Sequence, residues 1–200
     1  MKLTRRGFIQ SAALSAASAC CSCTTVEETV RKTGPTRIID THVHFYDPSR
    51  PQGVPWPPKN DQLLYRRVLP DSYRASPVPQ PVDGVVVVEA SEWVEDNQWI
   101  LDLAAKDPLI AGLVGNLPIG TEGFAGHLKR FAVNPLFRGI RTRAGTLESG
   151  INNPAFIRDL RMAADMGICF DLHSPPVWVA QAVPLARAVP NLRLIVNHVA

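Results

Sequence analysis

The stretch "RIIDTHVHFYDP", Arg37 to Pro48, ends a short apolar run with two histidines one residue apart. Strand side chains alternate with a period of two, so Asp40, His42 and His44 are expected on one side. Two imidazoles at that spacing can grip one divalent ion, or can be ordinary hydrogen-bonded residues where a strand stops. The choice between these depends on what else the chain brings to the same place.

Downstream of Thr36, continuous β-type runs alternate with helical patterns. The expected strands are 37–45, 84–91, 109–119, 137–143, 168–174 and 192–200. Their apolar residues run on without alternating, as in strands covered on both faces of a parallel sheet. Asn153-Pro154 is expected to open a helix with Ile157, Leu160 and Ala164 on its apolar face, ended by Gly167. Ser174-Pro175 opens the next. Thr121 is expected to cap another, striped by Phe124, Leu128 and Phe131. Beyond the second strand the spacing of about 25 to 30 residues is the βα pitch of an eight-stranded barrel. The expected fold is therefore α/β, a TIM (β/α)₈ barrel truncated after about six βα units.

The first crossover departs from that pitch. Tyr46 to Asp83 carries nine of the chain's eighteen prolines, with "DQLLYRRVL" (61–69) as an expected short helix. A long loop after strand 1 lies on the active-site face of a barrel, so it is either a specificity lid or an irregular surface loop. Trp56 within it is a candidate substrate-stacking residue, against plain packing. Trp93, Trp99 and Trp178 fall in loops or helices.

The chain has five histidines. His173 in "FDLHS" and His198 in "IVNHVA" both end strands, whereas His127 sits in a helical pattern. Four histidines at C-terminal strand ends are hard to explain by core packing. Converging from strands 1, 5 and 6, they would make a mononuclear site for Zn²⁺ or a similar divalent ion that activates water. Arg141 and Arg143 share a face at the end of strand 4 and are candidates to clamp a carboxylate; Arg138 is expected at the surface or in an ion pair. Glu89, ending strand 2, is a candidate ligand or substrate contact, or a solvent-exposed carboxylate.

A formal net charge of +3, with no basic run longer than two residues, offers no footprint for nucleic acid. Residues 1–33 are expected to be an export signal and linker, and 34–200 the barrel. "TRRGFIQ" (4–10) has paired arginines before an aromatic residue, as twin-arginine signals do, and "SAALSAASA" is a small-residue apolar segment too short for a permanent transmembrane span. Twin-arginine (Tat) export machinery is thus an expected partner and the periplasm the expected location, with Cys20 after Ala17-Ser18-Ala19 a candidate lipid anchor. Cys21 and Cys23 lack partner ligands at zinc spacing, and Cys169 is expected to be a small core residue. No serine nucleophile elbow or phosphate-binding glycine loop is present.

With "IIDTHVHFYDP", "VVVVEASEWVEDNQWILDLA", "GLVGNLPI", "FRGIRTR", "FDLHSPP" and "PNLRLIVNHVA", the chain resembles the amidohydrolase superfamily. Within it the likeness is to the amidohydrolase-related group that includes sugar-lactone and pyrone-dicarboxylate lactonases. The resemblance runs from Arg37 to the last residue. It implies a metal, expected to be zinc, bound or surrounded by His42, His44, His173 and His198; His173, His198 and Arg141 are the expected catalytic residues, with Arg141, Arg143, Trp56 and Glu89 expected around a small-molecule substrate. It also implies an aspartate after strand 8, serving as base and ligand, which the sequence does not reach; the chain is expected to be a fragment of a longer enzyme. The expected reaction is metal-assisted opening of a lactone or cyclic ester of a sugar acid or carboxylated small molecule. Non-oxidative decarboxylation by the same metal centre, and a non-catalytic remnant, are the alternatives.

Overall fold

The computed structural model describes residues 37–173, 180 and 182–199, with the side chains of 143–145 and 199 excepted. The expected export signal, Cys20, the helix start at Ser174-Pro175 and Trp178 lie outside these residues. Six strands form one sheet in the order of the chain: β1 (Ile39–Val43), β2 (Gly84–Val88), β3 (Ile110–Gly115), β4 (Phe137–Arg143), β5 (Cys169–His173) and β6 (Leu194–Val196). Every neighbouring pair is parallel. Between them run α1 (Pro70–Arg74), α2 (Val94–Ala104), α3 (Phe124–Ala132), α4 (Ala144–Gly150), α5 (Pro154–Asp165) and α6 (Ala182–Ala188). Among the described residues no helix is long and apolar enough to cross a membrane.

The sheet curls. Laid flat, β1 and β6 would stand about 24 Å apart, five spacings of roughly 4.8 Å. Yet the rings of His42 on β1 and His198 just after β6 have centroids 4.8 Å apart. Consecutive parallel strands curled until opposite edges face one another form the wall of a barrel, the (β/α)₈ architecture through six βα units.

Apolar side chains on the helix-facing side set this curl. Ile140, Phe170 and Leu172 are buried on the strands, opposed by Leu128 and Phe131 of α3 and Phe156 and Leu160 of α5. Phe131 stacks on Phe137 at 5.7 Å, and Phe156 meets Phe170 edge-on at 6.2 Å. Each such burial contributes roughly 1.5–3 kcal/mol by transfer from water. Asn153 caps α5 by accepting the Ala155 N–H at 2.9 Å, with Pro154 in the first turn. Gly167 follows at φ +72°, a conformation most side chains resist.

Two expected elements differ. Residues 61–69 form a turn rather than a helix: the Asp61 carboxylate accepts the N–H groups of Leu63 and Leu64, and Val68 is then drawn out to pair with Tyr46 through two backbone hydrogen bonds of 2.9 Å. The helix begins only at Pro70. Thr121 does not cap α3; its hydroxyl donates to the Pro118 carbonyl at 2.7 Å and the cap falls on Gly123. Helix α4, between β4 and α5, carried no sequence signal that set it apart.

Gly115 shows how tightly α2 holds the end of β3. Asn97 of α2 donates to the Asn116 carbonyl at 2.8 Å and accepts the Asn116 N–H at 3.1 Å, which places its Oδ1 2.0 Å from where a Cβ on Gly115 would stand. Gly115→Ala is expected to cost about 1–3 kcal/mol by overpacking. Gly126→Ala, on a helix position with open space around it, is expected to stabilise by about 0.5–1 kcal/mol. Urea denaturation of the two variants checks both signs; equal midpoints would refute the clamp.

Candidate active site

The C-terminal ends of β1, β2, β4, β5 and β6 carry His42, Glu89, Arg141, His173 and His198 to one mouth. Ring centroids are 5.1 Å apart for His42 and His44, 4.8 Å for His42 and His198, and 5.0 Å for His173 and His198. A cleft of about 510 Å³ opens beside them, lined by His44, Trp56, Glu89, Ala90, Arg141, His173 and His198. That is room for a small-molecule ligand. Helical His127 stays apart on α3.

Each histidine is placed by local backbone. β1 pairs irregularly between Asp40 and Val43, where the Asp40 carboxylate takes the His42 N–H at 3.1 Å. Asp40 also accepts the Tyr73 hydroxyl at 2.9 Å, so its carboxylate is engaged by its own chain rather than offered with the rings. His44 donates from Nδ1 to the Val88 carbonyl at 2.9 Å, which fixes its tautomer and leaves Nε2 as the acceptor. His198 sits at φ +59°, left-handed backbone that histidine adopts more readily than most residues at a cost of roughly 1–2 kcal/mol.

Beneath the rings is a buried polar layer. Arg141 donates from Nε to Glu89 Oε1 at 2.9 Å and from Nη2 to the Glu89 carbonyl at 2.9 Å, with the two side chains 7% and 6% exposed. Glu89 is thus an ion-paired residue rather than a solvent-exposed carboxylate. Asp171, in register with Arg141, accepts from Asn197 Nδ2 at 3.0 Å. His42 Nε2, Arg141 Nη1, Asp171 Oδ1 and Asn197 Oδ1 are buried without a hydrogen-bond partner in the structure. Burial pushes the Asp171 carboxyl up, against the pull of Asn197 and Arg141. Burial, with repulsion from His44, Arg141, His198 and His173, pushes His42 down to about 4. His44 is lowered by burial, despite its bond to Val88, and by the same cationic neighbourhood. Both imidazoles are therefore neutral at pH 7, the form that binds a metal.

The family model for amidohydrolases matches residues 39–200. The chain belongs to the amidohydrolase family. It is 27% identical over 164 residues to the L-fucono-1,5-lactonase of Burkholderia ambifaria, covering 81% of this chain and 56% of that enzyme. A crystal structure of a Burkholderia multivorans amidohydrolase with bound zinc superposes with a TM-score of 0.66 at 18% identity, over 80% of this chain and 57% of that one. A probable 2-pyrone-4,6-dicarboxylic acid hydrolase from Acinetobacter baumannii, with citric acid bound, gives 0.62 at 18%, over 80% and 58%. Those two likenesses carry the fold. The chain spans a little over half the length of these relatives.

This amidohydrolase's H-x-H pair fits a metal in its chemistry: two neutral imidazoles, one with an unpartnered buried Nε2 and one with Nδ1 tied back so that Nε2 is presented. Among the described residues, no three histidine, cysteine, aspartate or glutamate side chains gather closely enough to hold an ion as they stand. His173 and His198 lie at ring-contact distance instead, with centroids 5.0 Å apart.

Trp56, expected from its place in the first loop, reaches this mouth, and with it come residues that the sequence did not single out. Trp56 lies 5.6 Å from the His44 ring and 5.3 Å from Tyr46, both edge-on. The proline-rich loop that carries it is anchored by Arg50, which bonds Asp96 of α2 at 2.6 Å and stacks 4.2 Å over Trp99. Asp171 and Asn197 fall within "FDLHSPP" and "PNLRLIVNHVA", where their nearness to His173 and His198 is the one available signal; Arg50 has none. Arg143 ends β4 in register with His173, and its side chain lies outside those described. Cys169 is half-buried on β5.

Because His42 is harder to protonate in the folded protein than in the unfolded chain, where the value is near 6.5, the unfolded state binds more protons between these limits. Its contribution to stability is full above about pH 6.5 and is lost as pH falls toward 4. Urea denaturation at pH 7 and pH 5 is expected to show a smaller acid-induced loss for His42→Gln than for the unaltered protein. Equal losses would show that His42 is not held neutral.

Proposed function

We propose that the protein, in its full-length form, is a metal-assisted hydrolase that opens a lactone or related cyclic ester, and that it acts after export to the periplasm. The observation that carries the reading is the convergence of four imidazoles over a buried Arg141–Glu89 pair at the mouth of an amidohydrolase barrel. The 27% identity to a fuconolactonase supports a lactone as the substrate class.

The roles follow from each group's chemistry. His42 and His44 would hold a divalent ion, zinc being the one bound in a structural relative, and His173 or His198 would complete its ligands. The ion would supply Lewis acidity toward the ester carbonyl and make water more acidic. Whichever of His173 and His198 is not a ligand stands at the mouth to accept a proton from the attacking water and return it to the leaving ring oxygen. Arg141 Nη1, a buried donor without a partner, would orient a substrate oxygen. Trp56 would form the wall against which the sugar ring lies.

The full-length protein is expected to release acid from a panel of aldonolactones without CO₂. Release of CO₂ from carboxylated substrates would favour a decarboxylase, and no turnover of either class would sink the hydrolase reading. His42→Ala is expected to lower kcat/KM by about a hundredfold or more. Metal analysis of the same samples is expected to show about one zinc per chain, lost in the variant.

A further inference from the structure

Opening a lactone does not by itself call for a buried anion in the binding cleft, yet Glu89 lines this one. Its carboxylate holds the Arg141 guanidinium at 2.9 Å, and its own carbonyl takes a second bond from the same group. Asp171, in register with Arg141 on β5, brings another carboxyl alongside. Among the described residues lining the cleft, Arg141 is the cation and Glu89 its counter-ion.

A guanidinium already committed to a carboxylate gains little from a second one, and an incoming carboxylate meets Glu89 at close range. Nη1 of Arg141 remains as a donor suited to a neutral oxygen, a hydroxyl or a ring ether. The ester carbonyl is common to charged and uncharged lactones, so whatever the imidazoles hold does not separate them. We propose that Glu89, by neutralising Arg141 within the cleft, is the specificity-determining residue that directs the protein to uncharged polyhydroxylated lactones and against lactones bearing a free carboxylate. The inference rests on the lactone-hydrolase reading and narrows it.

The test pairs an aldonolactone with the aldarolactone of the same ring size, which carries a carboxylate in place of a hydroxymethyl group. The unaltered full-length protein is expected to favour the aldonolactone in kcat/KM by about tenfold or more, and Glu89→Gln to shift that ratio by about tenfold or more toward the aldarolactone. In the variant, KM for the aldarolactone is expected to rise with salt as the unmasked charge is screened. An unaltered protein that prefers the aldarolactone, or a ratio that Glu89→Gln leaves unchanged, overturns the proposal. If neither lactone is opened the hydrolase reading fails, and calorimetric affinities for the two compounds still decide this one by the same ordering. Should Glu89→Gln not fold, the double variant Glu89→Gln, Arg141→Gln removes both charges and is expected to keep the preference for the uncharged ligand; a reversal there overturns the proposal.

Discussion

The site exists because the sheet must curl. Parallel strands joined in order by helices have nowhere to bury their second face except against one another, and the right-handed twist of each strand turns that requirement into curvature. Here the curvature is set on the outer face, where Phe131, Phe156, Leu128 and Leu160 press the helices onto Ile140, Phe170 and Leu172. None of those residues touches the mouth. They nonetheless decide that His42 on one edge strand and His198 beyond the other come within 4.8 Å.

On the inner face the constraint is electrostatic. A guanidinium with little water around it is tolerable only if its charge is answered, and removing one member of a buried pair typically costs about 3–5 kcal/mol. Glu89 answers Arg141 with its carboxylate and with its own backbone carbonyl, which locks the end of β2 to β4. Asn116, after β3, adds a bond from its side chain to the Arg141 carbonyl at 3.4 Å. The floor beneath the histidines is therefore held by polar bonds between strand ends rather than by packing, and it keeps several unpartnered polar atoms, the mark of a site arranged for something other than stability.

The sequence carried the strand ends well because they combine two independent signals: β-branched runs with a parallel-sheet pitch, and rare residue types placed where those runs stop. His42, His44, His173, His198, Glu89 and Arg141 were legible for that reason, and Trp56 because a tryptophan in a long loop after strand 1 has few places to go. Asp40 was less legible, since a period of two does not foresee a carboxylate turning back to bond the N–H two residues on. Asp61 misled for a similar reason: its carboxylate captures N–H groups that a helix would have used, and the bridge between Val68 and Tyr46 then sets the direction of the chain. Arg50 had no signal at all, because its importance comes from a contact with Asp96, 46 residues away.

The two faces meet in the histidines. Arg141 lies close enough to His42 and His44 to make each harder to protonate, adding to the effect of burial. A neutral imidazole is a better ligand than a charged one, so under the proposed function the guanidinium would help to prepare the rings for a cation that its own charge would repel. Glu89 resolves that conflict. By answering Arg141 at close range it limits the field that the guanidinium casts on the rings while leaving Nη1 without a partner, so under the proposed function a single carboxylate would bear on both the ion and the substrate.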